Sequence, residues 1–163
     1  MTRQNNTDLK DVWQTPNDIL ELVGNIDLDP CAGEDTHIGD VNYSNKDVNG
    51  LKENWFGRTF VNPPFSEKKK WLKKAVEEVE YTECIFFVTP DGTDTVSWWH
   101  KYVTQADCIW FSEGRISYID PDTGEKQKNP TFGTAVSMFG EPGKKTLRRF
   151  NKEGQLLKTV EIE

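Results

Sequence analysis

Apolar positions in this chain fall into short runs set between polar stretches, and the period of each run points to the element it forms. Ile19, Leu20, Leu22 and Val23 follow Thr15-Pro16, with Asn17, Asp18 and Glu21 on the opposite side. A Thr able to cap, a Pro at the first helical position, an acid in the first turn and Gly24 past the end predict a short helix lying on a sheet. Residues 25–29 alternate as a strand does and run into Pro30-Cys31-Ala32-Gly33. From Glu34 to Asn54 the sequence is polar, and Val41-Asn42-Tyr43 is its candidate for a short second strand. Thr59-Phe60-Val61 reads as a buried strand stopped by Pro63 and Pro64, which have no N–H for the next ladder position. Ser66 can cap a helix to about residue 80, in which Trp71, Leu72, Ala75, Val76 and Val79 form one stripe.

Residues 83–90 are a near-continuous apolar run, as a central parallel strand should be. Asp91-Gly92-Thr93-Asp94 then turns the chain into a third helix over 94–105, with Val96, Trp99, Tyr102 and Val103 inward. Two strand–helix pairs in succession predict a parallel sheet with right-handed crossovers. Further strands are expected over 107–111, 116–119 and 134–139, and segments 146–150 and 156–162 read as a hairpin added at the edge. The chain thus divides into a flexible polar arm over 1–12, one α/β domain over 13–143 and a C-terminal edge hairpin over 144–163.

A chain of 163 residues with 35% apolar side chains suits one compact domain and leaves no room for a large second one. No run approaches a membrane span and the amino terminus lacks a hydrophobic signal core, so a soluble intracellular protein with no membrane partner is expected. Cys31, Cys84 and Cys108 are odd in number and far apart, which argues against a disulfide framework and a zinc site. With only two histidines, no metal site is expected. The net charge of −7 sits awkwardly with a nucleic-acid partner, because phosphate binding draws on Lys and Arg. Distribution offsets the sum. Lys68, Lys69, Lys70, Lys73 and Lys74 follow the double proline, and Lys144, Lys145, Arg148 and Arg149 form a second group. Such runs are most often solvated faces, but these flank the candidate site.

That candidate is Asn62-Pro63-Pro64-Phe65. In an open α/β sheet, ligands bind beyond the carboxyl ends of the strands. Pro64 biases the residue before it toward extended geometry, which turns the carbonyls of Asn62 and Pro63 out of the ladder toward an incoming donor. With a carboxamide that donates and accepts and a flat ring beside it, the set fits a planar group bearing an NH2. The plainer reading is a strand entering a turn, with Asn62 bonding its own backbone and Phe65 in the core. Asp29 closes the first strand. Its carboxylate can hold a cationic amine or a hydroxyl, and Ala32-Gly33 would let a cofactor approach the backbone. Alone, that segment is equally a turn.

Asn62-Pro63-Pro64-Phe65 after a β-rich run resembles the catalytic tetrapeptide of S-adenosylmethionine-dependent amino-methyltransferases, which act on adenine N6, cytosine N4 or protein glutamine. Asp29-Pro30-Cys31-Ala32-Gly33 resembles their first motif and Thr15-Pro16 the helix start that precedes it. Asp47, with Gly50-Leu51 and Trp55, resembles the acid that contacts the cofactor and the Trp before the catalytic strand. In order, and with Trp71, a strand ending in Pro90 and Gly114-Arg115-Ile116, the series over 13–139 resembles the phage-type DNA N6-adenine methyltransferase (Dam) family.

The resemblance implies a compact Rossmann-like class I methyltransferase sheet, mostly parallel, with an antiparallel C-terminal edge and a shortened middle. It implies S-adenosylmethionine held by Trp13, Thr15, Pro16, Asp29, Pro30, Cys31, Ala32 and Asp47, and catalysis by Asn62, Pro63, Pro64 and Phe65. It further implies adenine-containing DNA as partner, met by Lys68, Lys69, Arg115, Lys126 and Lys128, methyl transfer to N6 of a flipped base, and the cytoplasm of a bacterium or phage-infected cell. About a dozen residues separate Gly33 from Asp47, too few for a helix and a strand, so no ribose ligand is assigned. Only the segment after Phe111 is available to recognise a target sequence. The same motifs admit RNA or protein glutamine as substrate, or a noncatalytic nucleic-acid-binding module.

Overall fold

The computed structural model describes residues 11–44 and 46–162. The arm expected over 1–12 therefore lies outside the described residues, except for Asp11 and Val12. Seven strands form one sheet: β1 (Leu28–Ala32), β2 (Val41–Ser44), β3 (Arg58–Val61), β4 (Cys84–Pro90), β5 (Cys108–Ser112), β6 (Thr134–Gly140) and β7 (Gly154–Lys158). Their order is β2-β1-β3-β4-β6-β5-β7. The first four strands are parallel to one another, whereas β6 runs antiparallel to β4 and β5, and β7 antiparallel to β5. This is the expected Rossmann-like sheet with an antiparallel C-terminal edge. The short second strand read at Val41 is present as β2, reached from β1 by a loop without a helix, so the middle is indeed short.

Alternation along β4 explains the two-sided core. Ile85 and Phe87 face one side, where helix α2 (Lys68–Glu78) packs Trp71, Leu72 and Ala75. Phe86 and Val88 face the other, covered by helix α1 (Asn17–Val23) through Ile19 and Val23 and by helix α3 (Lys144–Lys152) through Phe150. Two guanidinium groups tie that second layer together by donating to carbonyls at and just past the C-terminal end of α1. Arg58 donates to Val23 O at 2.6 Å and Asn25 O at 2.9 Å, and Arg149 donates to Leu22 O at 3.0 Å. Among the described residues no helix is long and apolar enough to cross a membrane.

Three expectations are corrected. The C-terminal edge hairpin over 144–163 is instead a helix, α3, followed by the single edge strand β7. Thr146 and Phe150 lie one helical turn apart and are buried on the same face, and Phe150 fits between Phe86 and Trp110, whose indole donates to its carbonyl at 2.8 Å. Residues 94–105 are not one helix but a wide π turn over Val96–His100 and a 3-10 turn over Val103–Gln105. Adjacent Trp98 and Trp99 are both buried in one cluster, which a 3.6 period does not favour, while Val96 is left 76% exposed. Residues 116–119 form no sheet strand; Ile119 makes isolated bridges to Gln14 and Lys126.

Candidate functional site

From β1 the chain passes to β2 on one side and then crosses to β3 on the other, so the strand order reverses between β1 and β3. A crevice opens at such a switch point. A cleft of about 490 Å³ is lined there by Asp29 and Cys31 from the end of β1, Asn62 just past β3, Trp13 and Thr15 ahead of α1, and Ile119. The proline pair stops β3 and brings Asn62 to the cleft edge, as its sequence requires.

Asp29 is 4% exposed, and its carboxylate accepts from Cys31 N at 3.1 Å. Burial pushes the carboxyl up to about 7, against the pull of that one hydrogen bond. Burial and the neighbouring Asp29 likewise raise the Cys31 thiol, which favours its protonated form.

Asn62 does not bond its own backbone. Its Nδ2 donates to Trp13 O at 3.0 Å and to Thr15 Oγ1 at 2.9 Å. Both amide hydrogens are thus engaged, and among the described residues no donor reaches Oδ1 or the Pro63 carbonyl. Pro64 is extended (φ −51°, ψ 133°) and its carbonyl accepts from Glu67 N at 2.9 Å, opening a 3-10 turn at Phe65. The Phe65 ring is half-buried and lies perpendicular to Phe132, with centres 5.2 Å apart, and to Tyr118, 6.2 Å apart, so here the plainer reading holds in part.

Of the other residues singled out in the sequence, Pro16 and Pro30 are buried and Ala32 half-buried, outside the cleft lining. Asp47 is exposed and does not line the cleft. Its loop meets the β1 end through Gly50, where a Cβ would sit 1.8 Å from Pro30 O. Lys68 turns inward: its ammonium donates to Phe65 O at 2.8 Å and lies 5.1 Å from the Trp98 ring centre, and desolvation lowers its pKa against an upward pull from Asp11. Lys69, Lys126 and Lys128 are exposed, as is Arg115, which donates to Pro130 O at 3.1 Å. Neither Thr15 nor Ser66 caps a helix.

Asp11 was not legible beforehand. Its carboxylate accepts from Ser66 N at 2.7 Å and from the Ser66 hydroxyl at 2.5 Å, and its carbonyl accepts from Phe65 N at 3.1 Å. It lies in an unpatterned polar stretch, and nothing local marks a partner 55 positions away. The loop residues Thr36, His37 and Ile38, which also line the cleft, carried no motif either.

Sheet and cleft together place the protein in the class of Rossmann-like α/β proteins with a ligand crevice at the switch point. Within that class, a family model described as DNA N-6-adenine-methyltransferase (Dam) matches residues 2–158, and the chain belongs to that family. It is 25% identical over 154 residues to a DNA N-6-adenine-methyltransferase of Escherichia phage T1, covering 82% of this chain and 64% of the length of that relative. A crystal structure of a candidate RNA methyltransferase from Pyrococcus horikoshii aligns with a TM-score of 0.39 and 11% identity, over 63% of this chain and 51% of the other.

Proposed function

We propose that the protein transfers the methyl group of S-adenosylmethionine to the N6 amino group of adenine in DNA. The observation that carries this is the orientation of Asn62: both amide hydrogens are held by the segment before α1, so Oδ1 is left to accept, at the rim of the cleft that contains Asp29. Family membership supports adenine in DNA as the target. The cleft volume suits a nucleoside-sized cofactor. A buried carboxylate with a single hydrogen bond has the chemistry to take the cofactor's ammonium or a hydroxyl, while Trp13, Thr15 and Cys31 supply walls. When bound, S-adenosylmethionine supplies a methyl group already activated by its sulfonium.

The protein's part is small and geometric. An adenine amino group is a poor nucleophile because its lone pair is delocalised into the ring. Asn62 Oδ1 and the Pro63 carbonyl accept its two hydrogens, draw the nitrogen toward a tetrahedral shape and stabilise the positive charge that grows on it. Holding donor and acceptor in line supplies most of the remaining acceleration. The base must leave the duplex to reach Asn62. Phe65, steadied by Asp11, Lys68 and perpendicular contacts with Tyr118 and Phe132, would stack on it, worth about 1–3 kcal/mol. Exposed Lys69, Arg115, Lys126 and Lys128 meet phosphates. Such an enzyme works in the cytoplasm of a bacterium or a phage-infected cell.

The test is transfer of radiolabelled methyl to unmethylated DNA, followed by nucleoside analysis. The expected product is N6-methyladenine, and Asn62→Ala should lower the turnover by about 10²–10³. A variant within a few-fold of wild type would remove Asn62 from the mechanism. Label in cytosine, RNA or a protein glutamine would move the substrate assignment and leave the fold untouched.

A further inference from the structure

We propose that Thr15 is the positioning residue for the catalytic carboxamide, which goes beyond the cofactor-covering role its motif implies and rests on the function proposed above. An amide side chain has two nearly isosteric ends, and only one places an oxygen where a target amine can donate to it. The orientation of Asn62 is decided by its two neighbours. Trp13 O is an acceptor only, and Thr15 Oγ1 accepts the second N–H at 2.9 Å. Turned over, the carboxamide would oppose oxygen to the Trp13 carbonyl and present N–H groups to an amine that must itself donate.

The pair of acceptors is held in advance of any substrate. Gln14, between them in sequence, exchanges two backbone hydrogen bonds with Ile119 at 2.9 and 3.0 Å, and Asp11 is tied to Ser66 and Phe65. Residues 11–15 are therefore a strap pinned to the loop after β5 and to the far end of the Asn-Pro-Pro-Phe motif. The Thr15 hydroxyl makes no capping bond to α1, and its β-branch limits it to few rotamers. A rigid acceptor costs no reorganisation when charge develops at the neighbouring oxygen.

The full-length chain is compared as wild type, Thr15→Val and Thr15→Ser. Thr15→Val keeps the shape and removes the acceptor. It should lower kcat about three- to tenfold, the worth of one neutral hydrogen bond, with KM for DNA and the calorimetric Kd for S-adenosylhomocysteine within about twofold of wild type. By NMR, one of the two Asn62 side-chain amide protons should lose its protection from exchange. Thr15→Ser should restore both readouts, and Thr15→Ala should repeat the valine result without added bulk should valine disturb folding. Wild-type kcat and protection in Thr15→Val, or a weaker Kd with kcat unchanged, would overturn the assignment and leave Thr15 as a cofactor wall. The exchange measurement needs no DNA, so a wild type that methylates no DNA sinks the proposed function without deciding whether Thr15 orients Asn62.

Discussion

Replacing Asp29 with Asn should make the free protein more stable and its cofactor complex weaker. Asp29 is 4% exposed and receives one backbone N–H, which an Asn oxygen can receive equally well. Burial raises the folded carboxyl from 3.8 to about 7. In the unfolded chain the group ionises near its ordinary value, so across the window between the two the folded state holds a proton that the unfolded state has released. Stability therefore falls as pH rises through that window and levels off above the folded pKa. A displacement of this size corresponds to at most about 4 kcal/mol at alkaline pH. Urea melts of wild type and Asp29→Asn from about pH 4 to pH 8 read it directly: the two should nearly coincide at the acid end, and the variant should lead by about 2–4 kcal/mol at the other. Calorimetry with S-adenosylmethionine gives the functional counterpart. Wild-type affinity for the cationic ligand should rise with pH through about 7 as the carboxylate ionises, while the variant binds weakly at every pH. A stability gap independent of pH, or a variant less stable at pH 8, would show that the ionised carboxylate is already compensated in the free protein, and the reasoning would fail.

Two further expectations concern the frame around the site. Glu78 holds Lys74 Nζ at 2.5 Å and Trp55 N at 3.0 Å, with both side chains largely buried, so Glu78→Ala strands an ammonium and an N–H and should cost about 3–5 kcal/mol in chemical denaturation; a loss under about 1 kcal/mol would mean that water reaches the pair. Gly50→Ala would drive a Cβ to 1.8 Å from Pro30 O while Trp55 Nε1 holds the Gly50 carbonyl at 2.8 Å, and it should lower stability by about 2 kcal/mol or more and weaken S-adenosylhomocysteine binding through the displaced β1 end. An unchanged melting temperature would exclude that close approach.

What could be read in advance was local. The run into Pro63 and Pro64 announces the end of β3, the alternation into Asp29 announces β1, and Val41-Asn42-Tyr43 announces β2, because each follows from side-chain period and from proline's missing N–H. Where local signals competed with distant ones, the distant ones prevailed. Thr15 and Ser66 look like helix caps, yet each is claimed by a partner far along the chain, Asn62 and Asp11 respectively. Thr146, Leu147 and Phe150 fit a strand edge as readily as a helix face, and the Phe150 slot between Phe86 and Trp110 chooses the helix. Asp47 has the right residue type at a familiar spacing, but the fold leaves it exposed and outside the cleft lining.

By itself, then, the sequence determined which groups the candidate site offers: a strand-ending carboxylate and a carboxamide before two prolines, with a ring beyond them. Only the tertiary structure decided what those groups can do. The direction of the Asn62 oxygen depends on acceptors at Trp13 and Thr15, and the proton affinity of Asp29 on its burial in the folded chain, opposed by the single hydrogen bond from Cys31 N. Both are effects of what surrounds a side chain in space, and neither leaves a periodic trace along the chain.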